Sequence, residues 1–503
     1  MDTLHMLRRH APILLLAAFA AAACVDENSG NGGTPPGPTL DETFVGYSNP
    51  TTRQTTCGNC HIDKQRKWSQ TGHARAWEGL QASGHAAEEC YSCHTTGGYS
   101  NAAPDSAGYF TADSLGRPYY QDVQCEACHG PGAGHIAAPD DAQPLSTIQA
   151  AVGLDIGCGT CHSGFHNSFV EEWSQSRHGE VNSHATSATC LGCHSGQAAL
   201  ARFDSEAHYL EQSSATLEPI SCAVCHDPHG SGNPAELRRP INERDLSTNL
   251  CMQCHNRQTA PSTGSSRGNQ GHGTQGGVLL GVAGWIPPGF TYDTSLIESS
   301  HGSTANPRLC AGCHVENYSV TTATGTFFST GHRFLAIPCV DATTGLPDST
   351  QACTSLGERR FAACAVSGCH PTQNAARGAF TTIVARTDNY ANTLWRDVDG
   401  DQVIDAFPAD SGLLPTVKAQ NPTAINPSDA TITVGDGAEF NVRMFGANLA
   451  GHPDGSHGVH NPFYYEALLI ATIQSVRSTY NLPAPPSEVR VFAQRSQTLG
   501  MNR

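Results

Sequence analysis

The sequence predicts a mainly irregular and α-helical fold, built from short helices and loops with little β-sheet. A five-residue pattern, Cys-x-x-Cys-His, occurs eight times, and its first seven copies begin 29 to 35 residues apart. The 503 residues include 51 glycines and 30 prolines, which interrupt regular elements. A segment of about thirty residues is too short to enclose a conventional apolar core. Groups bound at the repeated motifs must therefore supply much of the buried surface.

The repeated pattern is the attachment motif of haem c, in which two thiols bond to the porphyrin and the histidine binds the iron. A single Cys-x-x-Cys is also found in zinc knuckles and thioredoxin-like redox pairs, but neither requires a histidine after every second cysteine. Eight motifs therefore predict eight covalently bound haems, around whose faces the polypeptide wraps. The predicted thioether pairs are Cys57 and Cys60, Cys90 and Cys93, Cys125 and Cys128, Cys158 and Cys161, Cys190 and Cys193, Cys222 and Cys225, Cys251 and Cys254, and Cys310 and Cys313. The predicted proximal ligands are His61, His94, His129, His162, His194, His226, His255 and His314.

Four of the remaining cysteines lie between residues 339 and 369. Cys364 and Cys369 end in His370 with a longer spacing, which predicts a ninth haem; the alternative is a disulfide followed by an incidental histidine. Cys339 and Cys353 are then expected to form a disulfide in an oxidising compartment.

The first 23 residues have the pattern of a secretory signal peptide, with Arg8 and Arg9 before an apolar stretch too short to anchor the chain in a bilayer. Cys24 follows small residues, as at the lipidation site of bacterial lipoproteins. Ala21 replaces the usual leucine, so cleavage that leaves Cys24 unmodified is the alternative. Residues 24–45 are then a lipidated cysteine and a flexible tether. We expect an exported outer-membrane lipoprotein, periplasmic or at the cell surface.

The rest of the chain divides into four regions. Residues 46–260 carry seven motifs, 261–300 form a Gly-rich spacer that is either a surface loop or a hinge, and 301–380 carry two motifs. Residues 381–503 are predicted to be free of haem and to include a docked helix that starts with Asn461 as N-cap and Pro462. In the same region, a run of alternating carboxylates indicates either a calcium loop or a solvated acidic turn. Its candidate ligands are Asp397, Asp399, Asp401 and Asp405.

Histidine is far more abundant than methionine, with 25 against 5. Nine follow haem cysteines and two lie in the signal peptide, which leaves fourteen for nine irons. This excess predicts bis-histidine haems of low potential. The distal candidates are His73, His85, His135, His178, His208, His229, His301, His332 and His460. Solvent-exposed or supporting roles are expected for His166, His184, His272, His452 and His457, with a ligand role as the alternative.

Several phrases around these histidines resemble known families. Trp68-Ser-Gln-Thr-Gly-His, Trp173-Ser-Gln-Ser-Arg-His and Cys128-His-Gly-Pro-Gly-x-x-His resemble the hydroxylamine-oxidoreductase and octahaem-reductase lineage. Thr330-Gly-His-x-Phe, the stretched ninth motif and Gly458-Val-His-Asn-Pro resemble outer-surface multihaem cytochromes of metal-reducing bacteria. Catalytic members of the first lineage often carry one atypical haem, for example with a lysine as proximal ligand. Here all nine motifs end in histidine.

Two functions remain open at this point. The first is an electron conduit at the outer cell envelope, whose formal charge of −17 disfavours nucleic acid and suits basic redox proteins or oxidised metal ions and minerals. Such a conduit acts as a monomer or in a filament or other oligomer. The alternative is a multihaem reductase or oxidase of nitrite, hydroxylamine or sulfur oxyanions, which requires one haem with an open iron.

Overall fold

The computed structural model describes residues 43–97, 108–110, 117–144, 146–149, 157–164, 168–290, 301–323, 325–348, 350–445 and 454–483. The signal peptide, Cys24, most of the tether, His166 and His452 lie outside the described residues. Residues Glu42–Arg503 form one compact unit. Within the described part of the chain, no helix is both long and apolar enough to cross a membrane.

Short helices predominate, and the predicted fold class is confirmed. The α-helices are α1 Ile62–Trp68, α2 Ala76–Ala82, α3 Glu88–His94, α4 Cys125–His129, α5 Ala133–Ala137, α6 Phe169–Ser174, α7 Ala188–His194, α8 Gly196–Phe203, α9 Cys222–Cys225, α10 Gln275–Leu279, α11 Cys310–His314, α12 Gln373–Leu394, α13 Leu413–Gln420, α14 Val434–Phe445 and α15 Pro462–Thr479. Single 3₁₀ turns span Cys57–Asn59, His73–Arg75, Gly108–Phe110, Arg117–Tyr120, Cys158–Thr160, Arg177–Gly179, Pro234–Glu236, Cys251–Gln253, Leu356–Glu358 and Ala362–Cys364.

The first cysteine of every one of the nine motifs lies on one of these helices or 3₁₀ turns. The turn is closed by the histidine N–H, which donates to the carbonyl of the first cysteine, for example from His61 to Cys57 at 2.9 Å. In the stretched motif the His370 N–H reaches the Cys364 carbonyl in the same way, at 3.1 Å. The longer spacing therefore still ends with the histidine folded back over its first cysteine.

The sheets are three two-stranded antiparallel pairs among the described residues. They are β1 Tyr47–Asn49 with β2 Gln54–Thr55, β3 Tyr318–Thr322 with β4 Gly325–Ser329, and β5 Arg396–Asp397 with β6 Asp410–Ser411. In the longest pair Tyr318 lies opposite Ser329 and Thr322 opposite Gly325. The segment Thr330–Phe334 follows this hairpin directly.

The longest helix was not expected from the sequence. α12 has 22 residues and starts directly after the ninth motif, capped by the Thr372 side chain, which accepts from Ala375 N. Its four threonines are intrinsically poor helix formers. Three of them, at positions 381, 382 and 393, have exposed hydroxyls that donate to the carbonyl four residues earlier. Packing of Tyr390, Ala391 and Leu394 into the C-terminal core stabilises the helix instead.

Helices α12 to α15 enclose a conventional apolar core. Phe440, Tyr464, Tyr465 and Leu468 are almost fully buried there. The Gly-rich spacer packs against it, because Asn269 Nδ2 donates to Asp436 and Glu439 at 2.9 and 2.8 Å. Its described part, which includes α10, is therefore docked on this core.

Candidate haem sites

One cavity of about 4050 Å³ runs through the molecule and is lined by residues from all nine motifs. All nine motif histidines face it, together with aromatic and aliphatic side chains. A space of this size, bordered by regularly repeated thiols and imidazoles, fits a set of covalently attached porphyrins.

Eight motif histidines lie opposite a second histidine. In every pair the ring centroids are between 6.0 and 6.4 Å apart. The pairs are His61 with His135, His129 with His229, His162 with His73, His194 with His272, His226 with His332, His255 with His178, His314 with His460, and His370 with His301.

This separation is the one that an iron atom between two imidazoles requires. Two metal–nitrogen bonds of about 2 Å and about 1 Å from each nitrogen to its ring centre give about 6 Å. Rings in van der Waals contact would stack at shorter distances or tilt without a common spacing. The residues present therefore fit bis-histidine haem.

The outer nitrogen of several of these imidazoles is held by the polypeptide. His135 Nδ1 lies 2.7 Å from the Ala142 carbonyl oxygen, and His314 Nδ1 lies 2.9 Å from that of Phe334. An Nδ1–H that donates to a carbonyl leaves the Nε2 lone pair free for a metal. Burial also lowers the pKa of His162 and His178 to about 4, so both are neutral at pH 7, the form that binds iron.

His460 is supported by a carboxylate instead of a carbonyl. Its Nδ1 lies 2.5 Å from Oδ1 of Asp454, whose side chain is fully buried. Burial opposes a charge on His460, but the negative charge and hydrogen bond of Asp454 outweigh this and raise the pKa of His460. A carboxylate in this position strengthens the imidazole as a ligand.

The histidines that lie opposite the motif histidines come from regions that the sequence suggested were separate. His332, in the predicted two-haem region, faces His226 of the seven-haem region. His460 comes from the region predicted to be free of haem, and His272 from the spacer. The sequence places His272 among the histidines for which a solvent-exposed or supporting role is favoured over a ligand role; its only signal is that it is the single histidine of a Gly-rich segment.

Two distal candidates are not brought to a motif histidine in the described structure. His85 is exposed on the loop after α2, and its Nδ1 lies 3.0 Å from the Ser83 carbonyl oxygen. His208 lines the cavity without an imidazole partner among the described residues. His94 likewise has no opposing imidazole in the described ranges; its Nδ1 lies 2.9 Å from the Ala76 carbonyl oxygen.

Cysteines of different motifs touch one another, which reveals which motifs are neighbours. Side chains in contact are Cys57 with Cys125, Cys93 with Cys161, Cys158 with Cys222, Cys193 with Cys254, and Cys251 with Cys310. Close enough to interact electrostatically are Cys128 with Cys158, Cys225 with Cys251, and Cys313 with Cys369. All nine motifs are linked by these contacts.

The structure also places the other predicted sites. Cys339 and Cys353 are joined by a disulfide, with their Cα atoms 5.7 Å apart. Carboxylate oxygens of Asp397, Asp399 and Asp401 lie within 4.8 Å of one another. Asp405 is not part of this cluster, and its backbone N–H donates to Asp410 at 2.8 Å.

These sites define a class: the protein is a c-type cytochrome with several covalently bound haems, and its function is electron transfer. Comparison with family models agrees, since residues 56–130 match cytochrome c554 and c-prime, and residues 217–260 match the doubled CXXCH motif. The chain is therefore a multihaem c-type cytochrome.

Comparisons with individual proteins add two findings. A search of curated proteins found no match. Among solved structures, the crystal structure of the outer cell wall cytochrome OcwA is similar at 18% identity and a TM-score of 0.48, covering 86% of this chain and 99% of that one.

Proposed function

We propose that this protein is a nine-haem electron conduit of the outer cell envelope. The observation that carries the proposal is the common spacing of eight histidine pairs, each suited to hold an iron on both sides. Haem held by two imidazoles supplies one-electron transfer at an iron with no free position for substrate. The polypeptide contributes the spacing, excludes water from the cavity and orients the rings.

The cysteine contacts support an order for the conduit. Three side-chain contacts and three electrostatic interactions join seven motifs into a trunk, and the two remaining contacts attach one side branch each. Named by their first cysteines, the trunk motifs follow the order Cys57, Cys125, Cys158, Cys222, Cys251, Cys310 and Cys364. The Cys90 motif branches from the Cys158 motif, and the Cys190 motif from the Cys251 motif. Electrons entering at either end of the trunk pass every trunk motif.

Features of the sequence support a cellular location and a class of partner for the proposed conduit. The signal peptide pattern and Cys24 support export and a lipid anchor in the outer membrane, on its periplasmic or outer face. The formal charge of −17 supports basic redox proteins, oxidised metal ions or minerals as partners rather than nucleic acid. A continuous trunk with two ends suits a monomer, and it also suits copies joined end to end.

A spectrum of the dithionite-reduced holoprotein with and without carbon monoxide tests the bis-histidine assignment. Eight haems are expected to show no change, because both axial positions are filled. Intact mass is expected to correspond to nine haems, and the variant C364A/C369A to eight. Carbon monoxide adducts on several haems would contradict the conduit.

A second function is favoured by His94. Among the described residues this is the one motif histidine without an imidazole opposite, although it lines the cavity. A haem held there by His94 alone has the open position that a reductase of nitrite, hydroxylamine or sulfur oxyanions requires. The Cys90 motif is also a side branch, so substrate binding there leaves the trunk intact.

Paired variants separate the two functions. C90S/C93S removes the haem held by His94, and C190S/C193S removes the other side branch as the matched control. If the open-iron reading holds, the wild type forms one carbon monoxide adduct, C90S/C93S loses both it and any nitrite or hydroxylamine turnover, and C190S/C193S keeps both. No adduct in the wild type would eliminate the reductase.

We also propose calcium binding at Asp397, Asp399 and Asp401. Three clustered carboxylates with exposed oxygens suit a hard cation. The Asp397 carboxylate already accepts from Gly400 N and Gln402 N, at 2.8 and 3.0 Å, so its position is fixed without metal. Calorimetric titration with calcium is expected to show one site in the wild type and none in D399N/D401N. Equal heats from both proteins would contradict it.

A further inference from the structure

The segment that follows β4 contacts the ligands of several haem sites at once. The His332 ring lies opposite His226, with centroids 6.4 Å apart and planes at 27°. Two residues on, the Phe334 ring lies 5.6 Å from His332 and 4.6 Å from His178, edge-on to both at 65° and 82°. His178 in turn faces His255 of another motif. One short segment therefore contacts two axial histidines of different haem sites.

Phe169 on α6 extends this contact to a third site. Its ring lies 4.9 Å from His332 and 5.7 Å from the motif histidine His162, with interplanar angles of 75° and 83°. Edge-to-face contacts favour one relative orientation of the rings. Rotation of the His332 imidazole therefore disturbs its contacts with both Phe169 and Phe334.

The backbone of the segment is held by one buried carboxylate. Glu172 Oε1 lies 3.1 Å from both Thr330 N and Arg333 Nη1, and Oε2 accepts from Thr330 Oγ1 at 2.8 Å and from His332 N at 2.9 Å. The Glu172 side chain is fully buried, so no water replaces these donors.

A glycine makes these hydrogen bonds to the buried carboxylate sterically feasible. Gly331 has a φ of +79°, and a Cβ there would lie 2.8 Å from the Val315 backbone. The sharp turn directs Thr330 and His332 to the same carboxylate, although 158 and 160 residues separate them from Glu172 in sequence.

We propose that Glu172, Phe169 and Phe334 are positioning residues that set the axial geometry of three neighbouring haem sites, those of His162, His226 and His255. The inference rests on the proposed function in one respect, that these histidines bind haem iron. Glu172 fixes the distance between the rings of His332 and His226, and the two phenylalanines fix the orientation of the ring planes of His332 and His178. Ring orientation and outer hydrogen bonds tune a bound iron.

The first variant is E172Q in the full holoprotein. The amide has the size of the carboxylate, but only one of its two polar atoms is an oxygen. Its NH₂ therefore cannot accept hydrogen bonds from the donors that the two carboxylate oxygens share in the wild type. His332 is then expected to leave the iron, so the reduced protein binds carbon monoxide at one more haem than the wild type. E211Q is the matched control, because buried Glu211 also accepts from a threonine hydroxyl and a backbone N–H, those of Thr147 and Ile148, and no axial histidine is involved.

A second variant keeps the proposal testable if E172Q fails to fold. F334L removes the ring but retains apolar bulk, and we expect the electron paramagnetic resonance signals of two low-spin haems to shift. F44L replaces a buried phenylalanine that has no ring contact with an axial histidine in the described structure, and is expected to leave them unchanged. Wild-type spectra and carbon monoxide stoichiometry in both E172Q and F334L would overturn the positioning role. A wild type without bis-histidine low-spin signals would instead overturn the proposed function itself.

Discussion

The His194 and His272 rings face each other at 6.0 Å with an interplanar angle of 77°, although 78 positions separate them in the chain. The spacer carries His272 back to the motif on α7. Because Gly273 has a φ of +59°, the chain turns sharply beside His272 and passes close to Cys254. A Gly-rich segment thus provides a side chain aimed at a haem site.

Replacing this histidine by methionine tests its role. H272M is expected to raise the reduction potential of one haem and leave the others unchanged, because a thioether is a weaker donor to ferric iron than imidazole. Potentiometric titration followed by absorbance measures the shift. H208M is the control, since His208 has no imidazole partner among the described residues. An identical titration curve for H272M and the wild type would show that His272 does not bind iron.

The relative orientation of the paired rings predicts the spectrum of the oxidised protein. Three pairs are close to parallel, at 9°, 22° and 27°, and two are close to perpendicular, at 73° and 77°. Near-parallel imidazoles give rhombic low-spin signals, and near-perpendicular ones give a single large g value. Electron paramagnetic resonance should therefore resolve at least two classes of low-spin haem. A single class would contradict the ring geometry.

Removing the carboxylate behind His460 is expected to change one potential. In D454N the neutral amide no longer increases the electron density of the imidazole, so the haem held by His314 and His460 should become easier to reduce. D388N serves as control, since the Asp388 carboxylate lies 3.4 Å from Nδ1 of His457, which faces no motif histidine in the described part of the chain. Potentiometric titrations of the two variants with equal midpoints would contradict the assignment.

The disulfide is expected to stabilise the segment between the eighth and ninth motifs. Cys339 and Cys353 are 14 positions apart, and closing a loop of this length contributes about 3 kcal/mol. C339S/C353S should lower the thermal midpoint without loss of haem, as measured by calorimetry and absorbance. If reductant lowers the wild-type midpoint and leaves the variant unchanged, the loss is assigned to this bond.

Much of the candidate site could be predicted from the sequence, because some short sequence motifs contain a residue that fixes the position of their histidine. Trp68 and Trp173 precede His73 and His178 by five positions, and both indole N–H groups donate to a carbonyl two residues before a motif, at 3.0 and 2.8 Å. The tryptophan thus anchors the histidine phrase beside a haem site. His85 has no such anchor, and it faces no motif histidine in the described structure.

The parts that sequence missed depend on tertiary packing. His272 reaches His194 because its backbone pairs with Gln258 and the spacer docks on α14 through Asn269, a contact with residues 167 and 170 positions away. α12 is likewise stabilised by its buried face and not by intrinsic propensity. Neither the docking of the spacer nor the burial of one face of α12 produces a local periodic pattern in the sequence.

The exchange of ligands between distant segments has a consequence for assembly. Under the proposed function, His226 gains its partner only after residue 332 has been exported, and His314 only after residue 460 has. Haems attached early therefore wait with one axial position vacant while the rest of the chain arrives. On this proposal, a chain halted before residue 460 holds an iron with an open axial position, so maturation is complete only when the segment that carries His460 has docked.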